Sequence, residues 1–278
     1  DSLKISNGKW IWWSRGIGGR SALDYLIKVK GYSFLEAVET IIGHTAIQAP
    51  VYEKPQSKEE NKPLLLPEKC ASNRVITEYL FGRGIDFEII NYCISNDLIF
   101  ESLPYHNVVF VGYDEKKEPK YAAYRSTNKR RIMGDCSGSK KDYSFRLGKE
   151  NLEEVHLFEC AIDLLSYATL AKLNGKDWKE MSFVSLSGVY SPAKKIEDSK
   201  VPIALEKYLG SNPSVRKIRI HFDNDIAGRK AAQTLKIILP DKYEIVDEPP
   251  KVGKDFNDFL CMRMGIYNKK THERNEER

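Results

Sequence analysis

From residue 151 onward the chain alternates short apolar runs with helical patterns, and that rhythm limits its possible folds more than any other feature. The runs fall at 155–158, 183–186, 218–222 and 243–246. Helical spacing of apolar residues fills 162–173, 202–209 and 227–238 between them. Strands separated by helices cannot pair as hairpins. They return by right-handed crossovers, which give a largely parallel sheet covered on both faces. The pattern therefore predicts an α/β domain over 151–265 with a mostly parallel four-stranded sheet flanked by helices. Ligands of such sheets sit beyond the carboxyl ends of the strands, so the residues at those ends carry the chemistry.

Those ends are acidic. Glu159 follows the first run, and Asp223-Asn224-Asp225 follows the third. Alternate residues leaving a strand share a side, so Asp223 and Asp225 can point the same way. Singly, each acid reads as a helix N-cap. Three carboxylates gathered over one sheet repel each other unless a cation lies among them, and an all-oxygen donor set suits Mg²⁺ or Mn²⁺. Asp255, which opens a further helix after the last strand, is a fourth candidate ligand. Basic residues cluster upstream at Lys129, Arg130 and Arg131 and again at Lys140, Lys141 and Arg146. A net charge of +5 alone decides little, but basic clusters beside an acidic metal site suit a polyanion handled by phosphoryl chemistry.

The rest of the chain sets the frame. With 41% hydrophobic and 30% charged residues it reads as a globular protein. No apolar run reaches the ~18 residues that span a bilayer, so no membrane partner is expected. Five widely spaced cysteines form neither a disulfide framework nor a CxxC pair, which points to a reducing, cytoplasmic setting. Residues 1–48 open with a hairpin signal at Asn7-Gly8, then a Gly-rich bend at Gly16, Gly18 and Gly19 and two short helices. Residues 49–70, interrupted by Pro50, Pro55, Pro63 and Pro67, read as a linker. Residues 71–150 read as a small mixed α/β unit, with runs at 108–111, 121–124 and 143–147 as antiparallel strands. The charged stretch 266–278 reads as a disordered tail.

The string Asp223-Asn224-Asp225-Ile226-Ala227-Gly228-Arg229-Lys230-Ala231-Ala232 closely resembles the TOPRIM domain of bacterial-type primases and topoisomerases. Glu159 followed by Asp163, the Ser187-Gly188 turn, and Gly253-Lys254-Asp255 resemble the same family's other motifs. Cys160 stands where many members have Gly. The resemblance implies that Glu159, Asp223 and Asp225 are catalytic and, with Asp255, bind Mg²⁺. Residues 75–85, Asn107 to Phe110 and Arg125 are similar to the amino-terminal half of a primase core. That likeness implies nucleotide or nucleic-acid contacts by Arg125, Lys129, Arg130, Arg131 and Lys141. The first segment resembles a primase zinc ribbon whose ligand positions hold Trp12 and Arg15, so no zinc is expected in this chain. Taken whole, the chain resembles TOPRIM-containing, primase-like proteins of bacterial plasmids and integrative elements. The implied activity is Mg-dependent nucleotidyl transfer on single-stranded DNA in mobile-element replication or transfer. The implied partners are single-stranded DNA, nucleoside triphosphates, and replication or conjugation proteins. A TOPRIM nuclease and a non-catalytic DNA-binding accessory factor are the alternatives.

Overall fold

The structure, a computed structural model, describes residues 2–6, 8–44, 62–128, 131–188, 190, 192–193 and 195–266. Lys129 and Arg130, most of the expected linker, and the charged tail beyond Ile266 lie outside them. The chain divides into two compact units, Asp1–Glu60 and Asn61–Arg278.

In the first unit, strands β1 (Leu3–Ser6) and β2 (Lys9–Trp12) pair antiparallel with Ser6 opposite Lys9, leaving a two-residue turn. Gly8 takes φ +71° there, the left-handed conformation that such a turn needs. A third strand, β3 (Ile17–Gly19), pairs with β2 where the sequence suggested only a glycine-rich bend. Helix α1 (Ala22–Lys28) is capped by the Ser21 hydroxyl, which accepts from the Asp24 N–H at 3.1 Å. Helix α2 (Phe34–His44) begins with a reciprocal capping box: Glu36 N–H donates to Ser33 Oγ, and Ser33 N–H donates to Glu36 Oε2. Of the tryptophans in this unit, Trp10 is buried edge-on against Tyr25, whereas Trp13 is exposed.

The second unit starts with extended chain. Leu65 N–H donates to Ser137 O, and Cys70 N–H donates to Glu101 O at 2.7 Å. Helices α3 (Arg74–Phe81) and α4 (Phe87–Ser95) follow. Strands β4 (Ile99–Ser102), β5 (Asn107–Tyr113), β6 (Pro119–Arg125) and β7 (Met133–Asp135) then form an antiparallel meander in sequence order. The sequence pattern marked β5 and β6 but not β4 or β7, which are too short to show alternation.

The larger sheet comprises β8 (Arg146–Gly148), β9 (Glu154–Phe158), β10 (Ser182–Ser185), β11 (Lys217–Ile220) and β12 (Glu244–Asp247), in the order β12-β11-β9-β10-β8. Strands β9 to β12 are mutually parallel, the four-stranded arrangement expected. The fifth, β8, pairs antiparallel with the edge of β10. The sequence reading assigned that run to the upstream unit. Three residues carry no period of their own, and only ladder pairing decides their sheet. The crossovers carry α5 (Ala161–Leu173), α6 (Ile203–Ser211) and α7 (Ile226–Ile238), and α8 (Phe256–Arg263) follows β12.

Period-two alternation sends side chains to two cores. Val155, Leu157, Ile218 and Ile220 pack on one face with Leu205 and Tyr208 of α6 and with Ala231 and Leu235 of α7. On the other face Phe158 and Phe183 meet Leu164 and Leu165 of α5 and Leu260 of α8. That second core continues without a break into Ile76 and Leu80 of α3 and Ile89 of α4. Helix α5 is therefore buried on nearly all sides, between the sheet and the upstream helices. Truncating one of its core leucines to Ala costs about 2–5 kcal/mol, so the meander half and the parallel-sheet half stabilise each other. Among the described residues no helix is long and apolar enough to cross a membrane.

Candidate metal centre

Strands β9 and β11 are neighbours in the sheet, so their carboxyl ends lie side by side. Glu159, the first residue beyond β9, is 5% exposed, and its Oε1 accepts from the backbone N–H of Asp223 at 3.2 Å. The chain turns at Asp223 and enters α7 at Asp225, whose Oδ1 caps the helix by accepting from Gly228 N–H at 2.9 Å. Gly228 is required at this point. A Cβ there would lie 2.2 Å from Asp223 O and 3.0 Å from Glu159 Oε1. The Ala-Gly step after the Asp pair thus lets the first turn of α7 seat directly on the two strand ends.

The guanidinium of Arg229 holds the same turn from behind. It donates through Nη2 to Phe222 O at 2.8 Å, through Nε to Asp223 O at 3.2 Å, and through Nη1 to Asp247 Oδ1 at 2.7 Å. A planar fork making three bonds fixes the direction of the Asp223 backbone.

Lys254 closes the site. Its Nζ lies 3.2 Å from Asp223 Oδ2 and 3.3 Å from Asp225 Oδ2. One ammonium is thus shared by two carboxylates at the place where a cation is needed. The residues fit a hard divalent ion on this observation: the donors are all oxygens, and a cationic side-chain head already stands among them. The Glu159 carboxyl is pushed up to about 7, first by burial and then by the charge of Asp223. Burial also raises Asp223, although Lys254 counteracts it. Asp225 is held below the usual carboxylate range by the Gly228 N–H. Lys254 is raised: partial burial opposes its charge, but the bonds to the two aspartates outweigh it.

Asp255 stands next to this trio but is committed to α8, where its Oδ1 accepts from Asp258 N–H at 2.7 Å. Burial raises it. Its charge acts in turn on Asp163, a residue of α5 that is 6% exposed. Asp163 accepts from Asn257 N–H at 3.1 Å and from the Cys160 thiol at 2.9 Å. Its carboxyl is raised above the usual carboxylate range, by burial foremost and then by Asp255. Cys160, at the Gly position of the TOPRIM pattern, is thereby a donor to an acid of the cluster.

Of the basic candidates, Arg125 lines a cavity of about 300 Å³ together with Tyr121, Cys160, Ser187 and Gly188, and its Nε donates to the Tyr79 hydroxyl at 3.1 Å. Lys141 reaches the rim of that cavity, with Nζ 3.2 Å from Asp135 and 3.4 Å from Ser187 O. Arg131 is exposed on the loop before β7 and does not line the cavity. The structure therefore brings Glu159, Asp223, Asp225 and Asp255 to one end of the sheet, with Arg125 and Lys141 beside them. Sequence reasoning left Lys254, Arg229 and Asp163 out of the site. All three stood in motifs already noted, and only tertiary contacts give them work: Lys254 with Asp223, Arg229 with Phe222 O and Asp247, and Asp163 with Asn257 N–H.

Residues 156–260 match a family described as Toprim-like, and residues 78–151 match one described as a protein of unknown function, DUF3991. A search of curated proteins found no match. Among solved structures, the chain is similar to the primase fragment of the bacteriophage T7 primase-helicase protein, with 18% identity over 69% of this chain and 72% of that one and a TM-score of 0.45. A DNA primase domain from Pseudomonas aeruginosa gives 15% identity over 69% and 68%, with a TM-score of 0.44. The Aquifex aeolicus primase, comprising zinc-binding and RNA polymerase domains, gives 16% over 98% and 74%, with a TM-score of 0.40. The chain thus carries a Toprim-like domain over residues 156–260, and the acid cluster lies at the strand ends of that domain.

Proposed function

We propose that the chain is a divalent-metal-dependent phosphoryl-transfer enzyme of the primase type, which joins nucleotides on single-stranded DNA during replication or transfer of a mobile element. The observation that carries this reading is the seat between Asp223 and Asp225, where one cationic head bridges two carboxylates beside the buried Glu159. A Mg²⁺ or Mn²⁺ ion held by Glu159, Asp223 and Asp225 would neutralise triphosphate charge and lower the pKa of an attacking hydroxyl.

The remaining roles belong to the chain itself. Arg229 and the capped start of α7 hold the backbone of the Asp pair in place. Lys254, on a flexible stem and 58% exposed, is free to leave the seat and follow a phosphate as a point charge. Asp255 adds negative charge at the margin of the seat and would help to hold the ion. Arg125 and Lys141 attract nucleotide or template phosphates at the cavity beside Glu159, and Lys129, Arg130 and Arg131 add positive charge that favours binding of the strand. The cavity's apolar wall, including Tyr121 and Phe145, can receive a base. A bound nucleotide there favours transfer to a hydroxyl over transfer to water. Replication or conjugation proteins would bring the chain to its DNA.

The test is primer synthesis by the purified chain on single-stranded templates with nucleoside triphosphates and Mg²⁺ or Mn²⁺. Oligonucleotide products that vanish in Asp223→Asn support the reading. Metal-dependent DNA degradation without nucleotides would make the chain a nuclease. DNA binding with neither activity would make it an accessory factor.

A further inference from the structure

Away from the acid cluster, three side chains of different chemistry converge where the extended chain before α3 meets the meander. Cys70, Glu101 and His106 present a thiol, a carboxylate and an imidazole whose ligand atoms all lie within 4.8 Å of one another. We propose that Cys70, Glu101 and His106 form a binding site for a borderline divalent ion of the zinc type, with water in the fourth position.

The backbone of each ligand residue is pinned by hydrogen bonds. Cys70 N–H donates to Glu101 O at 2.7 Å, which locks these two residues in register. Glu101 N–H donates in turn to Asn73 Oδ1 at 2.8 Å. His106 adopts φ +52° in the turn between β4 and β5. Its N–H donates to Ser102 O at 2.8 Å, and its carbonyl accepts from Thr127 Oγ1 at 2.9 Å.

The Glu101 carboxylate has the division of labour expected of a metal ligand. Although Glu101 is 2% exposed, its two oxygens face different ways. Oε2 accepts from Val75 N–H at 2.9 Å and Ile76 N–H at 3.2 Å at the start of α3. Oε1 faces His106 Nδ1 at 2.5 Å. A ligating carboxylate is characteristically held by hydrogen bonds on its other oxygen, as Oε2 is here. With Zn–N and Zn–O bonds of about 2.0–2.1 Å and tetrahedral angles, the two atoms would stand roughly 3.3 Å apart. The imidazole must therefore retreat by less than about 1 Å to admit an ion in place of the shared proton. His106 is 46% exposed and has room to do so.

The donor set selects the ion. A thiolate and an imidazole favour zinc-like ions over Mg²⁺, which prefers oxygen. The expectation of no zinc rested on the ribbon-like first segment, whereas these ligands lie in the second unit. Bound metal would tie the extended chain before α3 to the β4–β5 turn.

The experiment uses the full chain, stripped by chelator and titrated with Co²⁺ in excess Mg²⁺, which keeps the carboxylate seat filled. Wild type should show a thiolate-to-cobalt charge-transfer band with tetrahedral d–d bands, and zinc should displace them. Cys70→Ser should remove the charge-transfer band. Loss of an outer-shell partner alone costs about 10–100-fold in metal affinity, so His106→Ala should weaken Co²⁺ binding at least about tenfold. In unmodified protein, stoichiometric zinc should slow alkylation of Cys70 relative to Cys136, a readout that needs no variant to fold. No charge-transfer band in wild type, a band that survives in Cys70→Ser, or Cys70 alkylation indifferent to zinc would each overturn the proposal.

Discussion

Replacing Glu159 by Gln should make the metal-free protein more stable at alkaline pH, although it removes a principal ligand. Wild-type Glu159 has its carboxyl raised from 4.5 to about 7 by burial and by Asp223. Because the folded value is above the unfolded one, its ionisation works against the fold. The stability present below the unfolded value is lost as pH climbs through the folded one. At ~1.36 kcal/mol per pKa unit, the ceiling on that loss is about 3 kcal/mol. Gln keeps an oxygen to accept from Asp223 N–H and carries no charge, so it should recover about 1–3 kcal/mol at alkaline pH and almost nothing in acid. For a unit of about 200 residues, each kcal/mol moves Tm by roughly 2–4 °C. Urea denaturation in chelator at about pH 5 and about pH 8 reads the difference directly. Equal destabilisation at both pH values would refute the reasoning, because it would mean that Glu159 is not held under electrostatic stress. Mg²⁺ should stabilise wild type more at the higher pH and stabilise the variant little.

Three further outcomes follow from the same geometry. Gly228→Ala would ordinarily favour a helix by about 1 kcal/mol, but here the added Cβ meets Asp223 O at 2.2 Å. It should therefore destabilise by about 2–4 kcal/mol in thermal melts and weaken Mn²⁺ binding in parallel. Lys254→Ala should tighten Mg²⁺ binding severalfold, since the ion no longer competes with a tethered ammonium, while lowering phosphoryl transfer if Lys254 follows the phosphate; calorimetric titration and a turnover assay separate the two. Asp225→Asn keeps an oxygen for the Gly228 cap, so it should melt within about 1 kcal/mol of wild type and lose metal-dependent activity by at least about a hundredfold.

The parallel strands were legible because each is a short, mainly apolar stretch, and helical patterns between them leave only one kind of connection. Strands β4 and β7 were not, since neither shows a pattern of its own, and the run at 143–147 read as a strand but not as part of this sheet, which only the pairing of Arg146 with Val184 decides. The continuous core from Ile76 to Leu260 was equally hidden, because helical spacing says which face is buried but not against what. In the candidate site, Glu159 and the Asp pair stood out by their place at strand ends. Lys254 is one lysine among many until the turn after β12 returns it to Asp223. Cys70, Glu101 and His106 carry no motif spacing and meet only through the pairing of Cys70 with Glu101.

An anomalous difference map from crystals soaked in Mn²⁺ and a nucleoside triphosphate tests the cation seat most directly. The expected result is a peak within about 2.2 Å of carboxylate oxygens of Asp223 and Asp225, near Glu159, with the Lys254 ammonium displaced. A map with Lys254 still bridging the two aspartates and manganese absent or bound elsewhere would contradict it.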